Sequence, residues 1–318
     1  MSLSVANQRG IIGMVSAMAL FTANDACVKL VSATIPASQV MAIRGLFAFV
    51  LALSIMLLFR EGSQIHHLRR PLVLVRALLE AIVAGTFITA VAVLPLAIIA
   101  AILQSTPIIM TLIVVIFRLE KVGLHRWLAT IIGFIGVLLV VKPSAEGVNS
   151  AIIIALISAL AVACRDLLTR RIPNDIPSSV ITLGTTLGVA EMGLLLGLGH
   201  MIFAFIWPGT PAPLVLAPWQ ALGAYETVLL MCAATLVTIG NFAIILAFRN
   251  TDVSLISPFR YSVMLWAVIV GYLVFQEWPD WIAQIGMALI VIAGVYTLRV
   301  ERRAIPVEAQ AEQANIKA

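Results

Sequence analysis

The sequence predicts an all-α integral membrane protein of ten transmembrane helices, built as two inverted five-helix repeats with both termini cytoplasmic. Three observations carry that reading. Of 318 residues, 62% are hydrophobic and 11% charged, with a mean hydropathy of +1.09, too little polar surface to clothe a soluble domain of this size. Apolar runs of about 20 residues recur along the chain; lipid offers backbone groups no partner, so such runs must bond internally as helices. The basic residues, finally, fall almost entirely in alternate loops.

Taken in order, the spans are 10–33, 37–59, 72–94, 95–117, 126–142, 150–170, 177–200, 221–247, 252–275 and 280–298. The first is too long for a signal-peptide core and lacks a small-residue cleavage site, so it reads as a retained span. The third and fourth meet at a tight hinge around Pro95. Between 200 and 219 the chain carries Pro208, Pro211, Pro213 and Pro218 with Trp207 and Trp219 but no Lys, Arg, Asp or Glu. Proline opposes a regular helix there, and the tryptophans place the segment at the outer membrane interface. The tail from Ala304 is polar and reads as disordered.

With the N-terminus inside, the cytoplasmic basic set is Arg9; Arg60, Arg69, Arg70 and Arg76; Arg118, Lys121 and Arg126; Arg165, Arg170 and Arg171; Arg249; and Arg299, Arg302, Arg303 and Lys317. Outside there is Lys142, while Lys29, Arg44 and Arg260 fall within spans. The positive-inside rule therefore fixes both ends in the cytoplasm.

The chain is also duplicated. A shift of 157 lays Glu120 on Glu277, Ser105 on Ser262 and Pro95 on Asp252. A shift of 141 lays Asp25 on Asp166, Lys29 on Arg170, Pro36 on Pro177 and Ser38 on Ser179. Five is odd, so the two halves enter the membrane in opposite senses, an arrangement that puts a site near the midplane between them. The expected organisation is a cytoplasmic N-terminus (1–9), a first repeat (10–142), a linker (143–149), a second repeat (150–298) and a cytoplasmic tail (299–318).

The block LPLA…TPIIMTLIVVIFRLEKVGLHRWLATIIGFIGVLLVVKP and its counterpart SPFRYSVMLWAVIVGYLVFQEWPDWIAQIGMALIVIAGVYTLR resemble the drug/metabolite transporter superfamily, specifically its ten-helix EamA branch, over roughly residues 10 to 300. The resemblance implies a secondary transporter of small metabolites, amino acids and their relatives first, with export favoured.

Ionisable groups within spans are costly, so each should face the bundle interior or a wet cavity. Arg44 and Arg260 are placed to meet an anionic group, since a guanidinium forks onto two oxygens. Glu80 stands four residues after Arg76, the spacing of an intrahelical pair, or else holds a substrate ammonium or a proton. Glu191, alone in its span, finds a partner across the bundle or couples a proton. Asp25 with Lys29, and Asp166 with Arg170, have the same four-residue spacing and read as duplicated scaffold pairs. Asn24, Thr235, Thr238 and Asn241 offer interhelical hydrogen bonds. Pro107 and Pro258 interrupt the fourth and ninth spans beside Gln104, Ser105, Arg260 and Tyr261, and Tyr261 and Trp266 could stack on a ligand. Gly184, Gly188, Gly193 and Gly197 permit close helix approach, within the bundle or across a dimer.

Cys27, Cys164 and Cys232 lie within apolar runs without CxxC spacing, and His66, His67, His125 and His200 sit in loops or at span ends. There is no HExxH, GxSxG or P-loop, so neither metal, cofactor nor ATP hydrolysis is expected. The reading is a transporter of the inner (cytoplasmic) membrane, not an enzyme, binding no nucleic acid and working as a monomer. It moves amino acids or related zwitterions by alternating access. Arg44, Glu80, Gln104, Asn241, Arg260, Tyr261 and Trp266 form the substrate site, with Glu80 or Glu191 for a coupled proton. Two alternatives stay open: a multidrug or lipophilic-cation exporter of the same fold, relying on Glu80 or Glu191, and a membrane-embedded enzyme acting on a lipid-linked substrate.

Overall fold

The computed structural model describes residues 5–117, 124–141, 150–169, 171–173, 175–208, 210, 216–249 and 257–296. Every regular element among them is helical. The first half comprises α1 (Val5–Ser32), α2 (Ala37–Leu58), a 3-10 helix (Gly62–Arg69), α3 (Pro71–Val91), α4 (Leu96–Leu103), α5 (Thr106–Ile116) and α6 (Leu124–Val141). The second comprises α7 (Ser150–Thr169), α8 (Ser178–Ile206), α9 (Ala224–Arg249), a 3-10 helix (Ser257–Tyr261), α10 (Ser262–Phe275) and α11 (Trp281–Tyr296).

Proline sets where several helices begin. Pro36, Pro95 and Pro177 are the extended residues just before α2, α4 and α8, and Pro71 is the first residue of α3. A helix start needs neither the N–H that proline lacks nor any φ that it cannot adopt. Pro107 acts in the same way: at the second position of α5 it cannot donate to Leu103, and the span expected over 95–117 breaks at Gln104 and Ser105. Thr106 Oγ1 donates to the carbonyl of Leu103 and Ser105 Oγ to that of Ile102, so the break leaves those groups partnered.

Two boundaries differ from expectation. Helix α1 starts at Val5, ahead of position 10, and α8 runs on to Ile206 instead of stopping near 200, because HMIFAFI contains no helix breaker before Pro208. Glu120, Lys142, Arg170, Asp252 and the tail from 297 onward lie outside the described residues.

Six helices are long and apolar enough to cross a membrane, and four shorter apolar helices accompany them. The exterior fits lipid: Leu58, Phe205 and Met201 are 80%, 88% and 67% exposed, far beyond the apolar patches that a soluble monomer shows. Alanine dominates the interior, with Ala17, Ala52, Ala81, Ala101 and Ala159 all buried. Lipid tails are as apolar as leucine, so close packing of small residues takes over the role that water-driven burial plays elsewhere.

The most extensive packing joins α1 to α9, α2 to α8 and α3 to α7. These contacts cross between halves and are reciprocal. If α7, α8 and α9 stand for α1, α2 and α3, then α1 on α9 and α3 on α7 are one contact used twice, and α2 on α8 is its own counterpart. Helix α8 comes against α2 at Gly193, where a Cβ would collide with the backbone nitrogen of Ala42. Helices α6 and α11 meet backbone to backbone, with a Cβ on Gly136 falling 2.7 Å from the Gly286 carbonyl oxygen and one on Gly286 falling 2.6 Å from that of Gly136.

Candidate functional site

A cavity of about 80 Å³ lies between the two halves. Helix α1 contributes Thr22 and Asp25, α3 Phe87, α4 Leu96, Ile99, Ala100 and Leu103 with Gln104 just after it, and α10 Val263 and Ala267. Phe87 and the aliphatic residues make most of its wall, and Asp25 brings the charge. The Asp25 carboxylate accepts 2.8 Å from Asn24 Nδ2. The Asn24 carbonyl in turn accepts from Arg44 Nη1 at 3.1 Å, so the amide bridges an acid in the cavity to a guanidinium of α2. Arg44 lies within electrostatic reach of both Asp25 and Glu80, and its Nε is buried without a partner.

Beyond Arg44 the polar chain continues. Arg165 of α7 donates Nη1 to Glu80 at 2.9 Å and Nη2 to Asp166 at 2.8 Å. Arg76 turns its Nε to Thr169 Oγ1 at 3.0 Å. The expected Arg76–Glu80 intrahelical pair is thus corrected: α7 packs on this face of α3 and supplies Arg165, which reaches Glu80 directly and has Asp166 beside it. Arg165, counted with the cytoplasmic basic residues, lies near the C-terminal end of α7.

At the end of the bundle reached by the C-terminus of α1, Lys29 Nζ sits 2.6 Å and 2.8 Å from the two oxygens of Glu277. It also donates to the Leu94 carbonyl at 2.8 Å and lies 4.8 Å from the centre of the Phe275 ring. The Asp25–Lys29 pair is therefore not formed either. Glu277 is aimed by the turn that ends α10: Gln276 takes the left-handed conformation (φ 57°) and the Glu277 N–H returns to the Gly271 carbonyl at 3.0 Å.

The other expected site residues scatter. Gln104 lines the cavity, and its Nε2 makes a long 3.4 Å bond to the Arg260 carbonyl. Arg260 itself is exposed, not interior. It belongs to a 3-10 turn, where neighbours stand about 120° apart, so burying Tyr261 turns Arg260 outward. Tyr261 is buried against α11, its hydroxyl filling the space beside Gly294. Trp266 packs with Met14 and Met18 of α1, away from the cavity. Asn241 is exposed on α9, and Thr235 and Thr238 bond back to Met231 and Ala234 of their own helix rather than across the bundle. Glu191, on α8, is exposed in the groove between α8 and α3.

Against this geometry, the EamA-like transporter family model matches the chain twice, over residues 8–142 and 149–299. The chain belongs to the EamA-like transporter family. It is a multi-pass membrane protein of that family, and the family's small-molecule transport is its general function. Among curated relatives, an S-adenosylmethionine uptake transporter of Rickettsia felis is 23% identical over 287 residues, 89% of this chain and 90% of the relative. The pseudopaline exporter CntI of Pseudomonas aeruginosa is 25% identical over 300 residues, 92% and 97% of the two chains. A riboflavin transporter of Vibrio cholerae is 26% identical over 204 residues, 64% and 62% of the two chains. One crystal structure aligns over 95% of this chain and 99% of its own with a TM-score of 0.60 and 18% identity, which shows a shared fold alone.

Proposed function

We propose that this EamA protein is a secondary transporter of the cytoplasmic membrane. It carries amino acids or related zwitterions by alternating access of two inverted five-helix halves, with export favoured and both termini cytoplasmic. The boundaries are those at 142 and 150, and the working unit is the monomer. The observation that supports the reading is Asp25, a carboxylate on the cavity between the halves whose hydrogen bond is to Asn24. Asp25 receives the substrate ammonium. Arg44, tied to Asn24, helps to hold that amide against Asp25, and Gln104 can exchange its 3.4 Å bond for one to the substrate.

The volume refines this. About 80 Å³ is the share of roughly three water molecules, enough for a small headgroup and not for a metabolite with its side chain. The conformation is therefore a closed one, and loading requires α1, α4 and α10 to separate. The named relatives include an uptake transporter and an exporter, so the fold is compatible with either direction.

Purified protein screened by thermal shift against amino acids, nucleosides, sugars, vitamins and lipophilic cations provides the test. Amino acids are expected to raise the melting temperature of the parent, and the response is expected to vanish in folded Asp25→Asn. Amino acids that leave the parent unmoved, or an undiminished response in Asp25→Asn, would remove this reading.

A further inference from the structure

Asp25 and Lys29 stand one turn apart on α1, and the pair that their spacing allows is not made in this conformation. The Lys29 ammonium is committed instead to neighbouring segments: both oxygens of Glu277, the Leu94 carbonyl and the face of the Phe275 ring. Its side chain is 9% exposed, so water cannot replace those partners. Asp25 is the one acid of α1, and its Oδ1 accepts from Asn24 while Oδ2 has no hydrogen bond among the described residues.

Separating the walls of the central cavity takes the present partners of Lys29 away. Leu94 belongs to the turn between α3 and α4, and Phe275 and Glu277 to the end of α10; α4 and α10 are the walls that must part from α1 for the cavity to load. A cation within a span is costly without a counter-ion. The carboxylate that travels with Lys29 is Asp25, about 6 Å back along the axis on the same face, with the acid ahead of the base, the favoured order for such a pair. Glu277, 28% exposed already, is left to water at the opened end.

We infer that Lys29 is an internal competitor for the substrate's ammonium, held on Glu277 while this end is closed and passing to Asp25 when it opens. The substrate half of the inference rests on the reading of Asp25 given above. With the end closed, the substrate ammonium pairs with Asp25 and Lys29 with Glu277. With it open, Lys29 takes Asp25 and the substrate leaves. Neither state strands a charge inside the bundle. The two cations exclude each other from one carboxylate, so substrate on Asp25 favours closure and Lys29 on Asp25 favours discharge. Helix α1 ends on the side opposite the N-terminus, so with the termini in the cytoplasm the discharge is outward. A substrate arriving from outside must displace a lysine that never diffuses away, and a ligand without a cationic group has nothing to displace it with.

A double-mutant cycle on the purified full chain, read by melting temperature without any ligand, tests the exchange. Asp25→Asn is expected to lower the melting temperature by several degrees more in Glu277→Gln than in the parent, because Lys29 then has neither carboxylate. Loss of monodisperse protein in the double variant is the same result, provided that adding Lys29→Met restores it. Equal effects of Asp25→Asn in the two backgrounds, or an excess that survives Lys29→Met, would overturn the exchange. Glycine, the smallest zwitterion, reads the substrate half by thermal shift. Glu277→Gln is expected to bind it about tenfold more weakly than the parent, and Lys29→Met, which breaks the same salt bridge, more tightly. A salt bridge acting only as a clasp would move both variants in one direction, and that outcome removes the competition. If glycine leaves the parent unmoved, the competitor role falls with the amino-acid reading it rests on, and the ligand-free cycle still decides the exchange.

Discussion

Two of the ion-pair assemblies among the described residues, those around Arg165 and Lys29, are built differently. Around Arg165, the cation and both anions belong to α3 and α7, two helices packed along their length, with Glu80 from the middle of α3 and Arg165 and Asp166 from near the end of α7. Around Lys29, the members come from ends and turns: the last turn of α1, the Leu94 carbonyl after α3, and Glu277 just past α10. The first assembly fastens neighbours side by side. The second ties three segments together one turn beyond Asp25 and two residues before Leu96, across the end of the central cavity. The difference teaches that charge within this bundle has two uses, permanent fastening and closure, told apart by whether two packed helices supply all the groups or the turns that follow helices supply the partners.

The comparison breaks hardest at Arg165. Arg165→Met strands Glu80 and Asp166 without their cation and is expected to cost about 3–5 kcal/mol, seen as loss of monodisperse protein or a large fall in melting temperature. Adding Glu80→Gln and Asp166→Asn should recover most of that loss, because no unpaired charge remains. Lys29→Met is expected to cost less, about 1–3 kcal/mol, since Glu277 is 28% exposed and water can reach it. The swap of Lys29→Glu with Glu277→Lys should restore the melting temperature if the pair, and not either residue alone, matters.

Gln276→Gly sharpens the second assembly: it relieves the left-handed strain that aims Glu277 and is expected to stabilise by about 1 kcal/mol in the same assay. Arg70→Ala serves as a control, since the 3.2 Å pair with Asp175 is exposed on both sides; its cost should stay under about 1 kcal/mol and disappear in high salt. The smallest effect expected is at His67, in the 3-10 helix before α3. Burial, then the charges of His66 and Arg70, push its pKa below the usual imidazole value. The fold therefore favours neutral His67, whose contribution is complete above the ordinary histidine pKa and is lost as pH falls through the lowered one. His67→Gln should flatten that part of a pH–stability curve.

Much of the fold was legible because apolar length and proline position are local properties. Pro36, Pro71, Pro95 and Pro177 each mark a helix start, and the block around Pro95 carries the family resemblance. The site was less legible. Spacing of four made Asp25–Lys29 and Arg76–Glu80 look like pairs, yet the partners that win, Glu277 and Arg165, are 248 and 85 residues away in sequence. Helical periodicity says which residues share a face and nothing about which helix will cover it. Asp25 read as scaffold for the same reason: its place on the cavity depends on α4 and α10 arriving opposite α1. Arg260 was misplaced because the 3-10 turn around Pro258 changes the rotation per residue, which an α-helical count does not anticipate.

The crossing of α6 and α11 carries a consequence for mutational tolerance. Any side chain on Gly136 meets the Gly286 carbonyl, and any on Gly286 meets that of Gly136, both well inside contact distance. Compensation between the two positions is closed off, since neither residue can shrink to make room for the other. A saturation library at either position is thus expected to return glycine, while the lipid-facing leucines of the same helices exchange freely with other apolar residues.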